Sequence, residues 1–173
     1  MPDMPGRAAV LAGSCSQATR GQVARASASW PHRKIDADRI ANGQAVVRDT
    51  LEWAASQPAD TPILIYSSAD PDEVAAIQAR HGRDRAGAML EEAMGEIAKG
   101  LVAAGTRRLV VAGGETAGAV VSALRVTALR IGPEIDPGIP WTEALGEPRL
   151  ALALKSGNFG GEDFFAHALG MLP

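Results

Sequence analysis

The 173-residue sequence predicts an α/β fold with a mostly parallel sheet flanked by helices and a ligand site at the carboxyl ends of the strands. Apolar runs rich in β-branched residues alternate with segments of helical periodicity, which is typical of parallel sheets covered by helices. Three apolar runs end in glycine turns that lead into helices, at Gly13, at Gly113 and Gly114, and at residues 157–161. Because ligands of such sheets bind at the carboxyl ends of the strands, we expect these turns to converge on one ligand.

The first half of the chain is predicted to contain two buried strands. A lead-in rich in proline and glycine over residues 1–6 precedes an apolar strand over residues 7–12. A helix follows over residues 17–26, with Ser16 available as its N-cap. Residues 30–36 are typical of a loop that feeds a short edge strand, and residues 42–55 have the periodicity of an amphipathic helix. The apolar run over residues 61–68 predicts a parallel strand buried on both faces.

The second half predicts the longest helix, then two strands with a proline-rich loop between them. A polar, helix-prone connector spans residues 70–87, and apolar residues recur at helical spacing from there to Gly105. A strand is predicted over residues 109–112, followed by a helix over residues 114–124. Residues 128–141 are so rich in proline and glycine that we expect an ordered loop with one short strand, packed through Ile135, Ile139 and Trp141. A strand over residues 150–154 and a helix beginning at Glu162 end the chain.

Composition and charge restrict the class of protein. Hydrophobic residues make up 46% of the chain and charged residues 21%, with a formal net charge of -3. These values are typical of a globular chain, so we expect one domain over residues 7–173, with neither duplex nucleic acid nor a membrane as partner. The single cysteine excludes an intramolecular disulfide, and the three histidines form no cluster spaced for zinc. We therefore expect no metal site within the protein, a reducing cytoplasmic location and a buried Cys15.

The strongest functional signal lies over residues 109–121, where a β-branched strand stops at Gly113 and Gly114. Paired glycines let backbone N–H groups approach a ligand and accept positive φ angles. The helix that begins near Glu115 and Thr116 presents its positive end at the same place. This arrangement predicts a phosphate pocket, with the ordinary strand-to-helix turn as the alternative. Thr116 is expected to cap the helix or to contact a phosphate oxygen.

Polar side chains accompany the other two turns. Ser14 and Ser16 are expected to contact phosphate or a ribose hydroxyl, or alternatively only to cap the helix that follows them. Gly157 and Asn158 are expected to close the opposite side of the ligand. Lys155, at the end of the last strand, is interpreted as a phosphate partner or as a plain surface charge.

Four motifs occur along the chain in a defined order. They are VLAGSCSQAT at residues 10–19, GGETAGAV at residues 113–120, IGPEIDPG at residues 131–138 and LKSGNFGGEDFF at residues 154–165. Together they resemble the C-terminal, nucleotide-binding domain of the four-carbon acid sugar kinase family, and the match extends over essentially the whole chain. Ala117 stands where the family pattern has a hydroxyl residue, so we expect one hydrogen bond to the ligand to be missing.

The resemblance implies a kinase that uses ATP with Mg²⁺ to phosphorylate sugar acids such as threonate, erythronate or their 3-oxo forms. Family members carry a separate N-terminal domain that holds the sugar acid, and this domain is absent from the sequence. We therefore expect ATP or ADP to bind here and catalysis to require that domain, fused or as a separate partner. No catalytic base is assigned. The residues expected around the nucleotide are Ser14, Ser16, Gly113, Gly114, Glu115, Thr116, Gly157 and Asn158.

The sequence leaves one alternative class of function open and argues against two others. A non-catalytic nucleotide-binding or assembly module would keep the pocket without turnover, and the sequence leaves open whether copies of the chain associate. A dinucleotide-binding oxidoreductase is disfavoured because no G-x-G-x-x-G follows a strand with an acidic residue about 20 positions later. A P-loop NTPase is excluded because the string G-x-x-x-x-G-K followed by Ser or Thr is absent.

Overall fold

The computed structural model describes residues 3–172 and has a seven-stranded sheet between two layers of helices. Of the predicted lead-in, Met1 and Pro2 lie outside the described residues. The strands are β1 (Arg7–Ala12), β2 (His32–Lys34), β3 (Ile63–Tyr66), β4 (Thr106–Ala112), β5 (Leu129–Asp136), β6 (Ile139–Ala144) and β7 (Leu150–Lys155). The helices are α1 (Gln17–Ser27), α2 (Ala37–Ala41), α3 (Val46–Ser56), α4 (Pro71–His81), α5 (Arg83–Ala103), α6 (Gly114–Ala123) and α7 (Phe164–Gly170).

The sheet has the order β2-β3-β1-β4-β7-β6-β5, and the first five strands of this order are parallel. Val10 of β1 lies opposite Leu64 of β3 and Val110 of β4. The last two strands add antiparallel pairs at one edge. The predicted α/β fold with a mostly parallel sheet is confirmed. β2 and β3 lie on one side of β1, whereas β4 and all later strands lie on the other side. The strand order therefore reverses between β1 and β4, and sheets of this kind bind ligands in the crevice at that point.

Both faces of the sheet are buried. Val10 and Ala12 of β1 pack in the cluster that α1 and α7 cover, whereas Leu11 packs in the opposite cluster with Met94 and Ile97 of α5. Successive side chains of a strand point to opposite faces, so a strand covered on both sides is apolar throughout. Because both faces are filled, the ends of the strands are left to carry polar groups.

Residues 128–141 are not the loop that the sequence predicts. They form most of an antiparallel hairpin of β5 and β6, which turns at Pro137 and Gly138, and Gly138 has a φ of +78°. The pairing register shifts on both sides of Glu134, and proline is tolerated where an edge ladder is irregular. The expected packing of three apolar residues is confirmed, since all of them are buried: Ile135, Ile139 and Trp141.

The helix predicted over residues 42–55 corresponds to α3, and a separate helix that the sequence did not predict, α2, precedes it. The short α2 comes first, and the Asp36 side chain caps it by accepting a hydrogen bond from the Asp38 N–H at 2.8 Å. Gly43, with a φ of +72°, lies between α2 and α3. The predicted start at Asn42 is therefore wrong, because Asn42 is the C-cap of α2 and α3 begins only at Val46.

The predicted polar connector contains a helix of its own, α4, which Asp70 caps by accepting from the Glu73 N–H at 2.9 Å. No residue of α4 is buried, as expected for a solvated segment. Gly82, with a φ of +80°, separates α4 from the 21-residue α5, the predicted long helix. Across residues 3–172, every helix is too short or too polar to span a bilayer.

Candidate functional site

The turns after β1 and β4 lie against each other at the crevice between these strands. Both Gly13 and Ser14 donate their N–H groups to the Ala112 carbonyl, at 2.9 and 3.1 Å. A Cβ on Gly13 would lie 2.0 Å from Thr116 Oγ1, and a Cβ on Gly113 would lie 3.0 Å from the Ser14 nitrogen. Glycine is therefore required at both positions for the two turns to approach this closely.

The start of α6 faces open space at this edge. Gly113 is the N-cap with a φ of +127°, and it has no side chain to accept the first N–H groups of the helix. Gly114 and Glu115 are exposed, and a Cβ on Gly114 would meet no atom within 4 Å. The positive φ predicted for this glycine pair thus belongs to Gly113, while Gly114 leaves the approach to the helix N-terminus open. Such a terminus favours an anion through its free N–H groups and its dipole.

The turn after β7 is tied to α1 through the carbonyl of Gly157. Ser16 Oγ donates to this carbonyl at 2.6 Å and Thr19 Oγ1 donates to it at 2.8 Å. A Cβ on Gly157 would lie 2.0 Å from Ser14 Oγ, so this turn also packs against the turn after β1. Asn158 follows on the exposed side. All three glycine turns therefore lie in mutual contact.

A buried amide holds the rest of the same loop. Gln22 Nε2 lies 3.0 Å from each of three carbonyl oxygens, those of Phe159, Gly160 and Gly161. In a trans peptide the C=O of one residue points opposite to the N–H of the next. Because α1 binds the carbonyls of this loop, the N–H groups of the same peptide units point away from α1. Runs of N–H groups on one side of a loop are anion-binding surfaces.

Lys155 lies beneath this loop and is only 2% exposed. Its Nζ donates to Thr19 Oγ1 and to the Ser156 carbonyl, both at 3.1 Å, and to the Gly157 carbonyl at 3.3 Å. Nζ also lies 5.9 Å from the ring centroid of Phe164, within reach of a cation–π contact. Burial lowers the pKa of Lys155 to about 8, because the ammonium group loses its hydration. The interpretation of Lys155 as a surface charge is therefore wrong.

A cleft of about 440 Å³ adjoins the turns after β1 and β4. One wall consists of α4 and α5, which contribute the apolar side chains of Ile77 and Met94 and the charged side chain of Arg83. Thr116 and Glu115 form part of the opposite wall. The volume lies within the range of small-molecule sites, which combine apolar surface with a few polar groups.

Acidic side chains near the turns are dispersed, and three of them line the cleft: Asp84, Glu91 and Glu115. Glu115 is exposed in the first turn of α6, and Asp163 pairs with Arg25 at 2.7 Å on the surface. Within residues 3–172, no group of three or more His, Cys, Asp or Glu side chains is arranged to hold a metal ion.

The structure brings all the predicted site residues to one edge of the sheet, in two groups. One group is Gly113, Gly114, Glu115 and Thr116, and the other is Ser14, Ser16, Gly157 and Asn158.

Ser16 fulfils the capping role that the sequence left open, because its Oγ accepts a hydrogen bond from the Thr19 N–H at 3.2 Å.

Cys15 does not have the environment that the sequence predicts. It is exposed and lines the cleft, so the expectation of a buried cysteine is wrong. The physical reason is that the chain leaves the sheet at Gly13, so the Cys15 side chain lies in the turn before α1 and lines the cleft instead of packing in the core.

Sequence reasoning missed the residues that hold the loop. Thr19 and Gln22 are fully buried on α1, and with Ser16 they follow a spacing of three residues on one helix face. A row of polar residues at this spacing along the helix predicted over residues 17–26 is a signal that could have found them. The wall formed by α4 and α5 had no comparable signal, since its residues belong to segments with ordinary helical patterns.

We expect Gly13→Ala to lower the free energy of unfolding by about 1–3 kcal/mol, because its Cβ would overlap Thr116 Oγ1. Thr116→Ala should recover most of this loss in the double variant, since it removes the overlapping atoms. Chemical denaturation of both single variants and the double variant gives the coupling energy. Additive losses would show that the two turns do not pack as described.

A family model described as a nucleotide-binding C-terminal domain matches residues 9–165. The chain belongs to this family. The domain is 54% identical over 168 residues to a 3-oxo-tetronate kinase of Methylobacterium radiotolerans, covering 96% of this chain and 40% of that protein. It is 53% identical over 173 residues to a 3-oxo-tetronate kinase of Cupriavidus necator, covering 99% of this chain and 40% of that protein.

Solved structures share the architecture of the domain. A crystal structure of a Haemophilus influenzae protein superposes with a TM-score of 0.93 at 36% identity, covering 100% of this chain and 42% of that one. A Salmonella typhimurium structure superposes with a TM-score of 0.92 at 39% identity, covering 99% of this chain and 42% of that one. The chain thus spans about two-fifths of the length of its curated relatives and solved neighbours.

Proposed function

We propose that this chain is the ATP-binding domain of a kinase that phosphorylates four-carbon sugar acids. The observation that carries the proposal is the contact of three glycine turns at the crevice between β1 and β4, next to the exposed start of α6. Phosphoryl transfer asks a protein mainly for positioning and for electrostatic stabilisation of phosphate oxygens. Turns that present backbone N–H groups supply both.

In this proposal each group of site residues has a separate task. The N–H groups of Gly114, Glu115 and Thr116 bind phosphate oxygens at the start of α6. Asn158 and the loop that follows it bind on the side of β7. Ser14 Oγ accepts from the Ser16 N–H at 3.2 Å, which leaves its own proton for a ligand oxygen.

The substrate class rests on the relatives. Both curated proteins compared above are 3-oxo-tetronate kinases, and more than half of the aligned residues are identical in each case. We therefore propose a 3-oxo-tetronate or a related four-carbon sugar acid as the phosphate acceptor. The acceptor is held by a partner domain corresponding to the part of the relatives that this chain does not span.

Exposed Cys15 is a free thiol, which suits a reducing cytoplasmic location.

Mg²⁺ is proposed to arrive with the nucleotide. Mg²⁺ usually keeps several waters and binds substrate phosphates with one or two carboxylates. Exposed Glu115, in the first turn of α6, fits that requirement as a partner through water. When bound, the ion would neutralise charge on the transferring phosphoryl group.

ATP and ADP with Mg²⁺ are expected to stabilise this chain against heating, whereas NAD is not. At a ligand concentration of 100 times Kd, binding adds about 2.7 kcal/mol to the free energy of unfolding. For a chain of this size that corresponds to an increase in Tm of roughly 5–10 °C. A thermal-shift titration with each ligand at equal concentration measures this difference. Stabilisation by NAD without stabilisation by adenine nucleotides would overturn the proposal.

A non-catalytic nucleotide-binding module is the second candidate, because the family model that matches residues 9–165 is described by nucleotide binding and its description names no reaction. It would give the same thermal shifts. The two candidates separate in the turnover experiment with the partner domain.

A further inference from the structure

The ammonium group of Lys155 is a buried positive charge without an acidic partner. Its polar contacts are the Thr19 hydroxyl and the carbonyls of Ser156 and Gly157. Among the described residues 3–172, no carboxylate lies within 4.0 Å of Nζ, although nine ion pairs join other Lys or Arg side chains to carboxylates. Lys155 therefore differs from Glu143, the buried acid of β6, which pairs with both Arg130 and Arg149.

A charge in this position destabilises the fold. Burial lowers the pKa of Lys155 from 10.5 to about 8, so the unfolded chain binds more protons than the folded chain between these pH values. Stability should accordingly rise with pH through that window. Ionisable side chains with strongly shifted pKa values occur more often at functional sites than elsewhere in proteins.

The position of the Lys155 ammonium group indicates that it acts on a ligand at the outer side of the loop over residues 156–161. Nζ binds the inner side of the loop, at the carbonyls of residues 156 and 157. The N–H groups of the same peptide units point to the outer side, away from Lys155. The ammonium group polarises these peptide units, because a carbonyl that binds a cation makes the N–H of the same peptide unit a stronger hydrogen-bond donor. The effect of the charge therefore reaches the outer side of the loop.

We propose that Lys155 is a positioning residue of the nucleotide site, whose buried charge holds the loop over residues 156–161 and serves as counter-charge to phosphate bound on its outer side. This inference rests on the proposed nucleotide binding. It predicts that the phosphate groups of the nucleotide favour the protonated form of Lys155, so that binding draws a proton from solution at mildly alkaline pH.

Other groups around Lys155 must be separated from this effect. Arg25 and Asp163 are paired with each other on the surface. Cys15 is exposed beside the cleft, so its thiol is a second candidate for the proton uptake. The titratable side chains near the carboxyl end of β7, on the elements packed around Lys155, are Cys15, Arg20, Arg25, Glu115, Glu162, Asp163 and His167.

The experiment is calorimetry of ADP binding at about pH 8.5 in two buffers of different ionisation enthalpy, which gives the number of protons taken up. Wild-type protein is expected to take up on the order of half a proton per ADP. Lys155→Met should abolish the uptake and weaken ADP binding roughly tenfold near neutral pH. Cys15→Ser should leave the uptake in place. Lys99→Met, the same change at an exposed lysine of α5, is the matched control.

A pH series adds a readout that a purely structural brace would not change. The ADP affinity of the wild type should fall roughly five- to tenfold between about pH 7 and 9.5, whereas the affinity of Lys155→Met should be flat. Lys155→Arg should keep the affinity and lose the pH dependence, because a guanidinium stays charged. The melting temperature of Lys155→Met near neutral pH should equal or exceed that of the wild type, since a costly buried charge is gone.

Each result has a definite meaning. No ADP binding by the wild type near neutral pH would overturn the proposed function itself. ADP binding without proton uptake would overturn the role of Lys155 and leave the proposed function intact. Uptake that disappears in Cys15→Ser and persists in Lys155→Met would transfer the effect to the thiol. If the Lys155 variants do not fold, the uptake by the wild type and by Cys15→Ser still decides between these outcomes.

Discussion

This chain alone is expected to release no ADP in response to threonate, erythronate or a 3-oxo-tetronate. Addition of a domain corresponding to the part of the relatives that this chain does not span is expected to establish turnover of about 1 s⁻¹ or faster. The physical reason is positioning. Holding the acceptor hydroxyl in line with the γ-phosphate supplies roughly 7–11 kcal/mol of barrier reduction, which a nucleotide site alone does not provide. The histidines of the chain offer no base at this place: none of them lines the cleft beside the turns.

The measurement is a coupled assay of ADP release with and without the N-terminal part of the Methylobacterium radiotolerans relative, supplied separately or fused. ATP without sugar acid is the background control. The Gly114→Val variant with the partner domain present is a second control, because it should lose the nucleotide site. Acceptor-dependent turnover by this chain alone would show that the acceptor site lies within it. A fused protein that contains both domains and binds ATP, yet shows no turnover, would favour the non-catalytic module.

Gly114→Val is expected to weaken ATP and ADP binding by at least about 100-fold, equivalent to about 2.8 kcal/mol. A branched side chain at this position would fill the open space through which phosphate reaches the first N–H groups of α6. The fold should survive, because a Cβ there meets no atom within 4 Å and the positive φ belongs to Gly113. Titration calorimetry measures the affinity, and circular dichroism with thermal unfolding confirms the folded state.

Gly118→Val is the matched control for this variant. Gly118 lies one turn later on α6, and a Cβ there also meets no atom within 4 Å. Both substitutions place the same side chain on the exposed surface of the same helix, so a difference in affinity isolates the effect at the helix start. Unchanged ATP affinity in folded Gly114→Val would place the phosphate groups elsewhere.

Much of the fold follows from local patterns. Three segments of the parallel strands are apolar and buried because helices cover both of their faces, and this signal is visible in the residues themselves: residues 8–12 of β1, 63–65 of β3 and 109–112 of β4. The hairpin of β5 and β6 was missed because its prolines and glycines are turn formers locally. Only pairing with β7 shows that Trp141 belongs to a strand, since it lies opposite Ala153.

The sequence by itself determined the glycine turns and their common edge, because parallel strands that end in turns must present those turns together. Only the tertiary structure decided the task of each residue there. Gly13 and Gly157 allow the turns to pack, and Gly114 leaves space open, although all three are the same residue type. The sequence also left two roles open for Lys155, a phosphate partner or a surface charge, because its residue type alone does not show whether it is buried. Its burial and its contact with Thr19 join residues 136 positions apart, and such contacts depend on how strands and helices pack rather than on any local pattern.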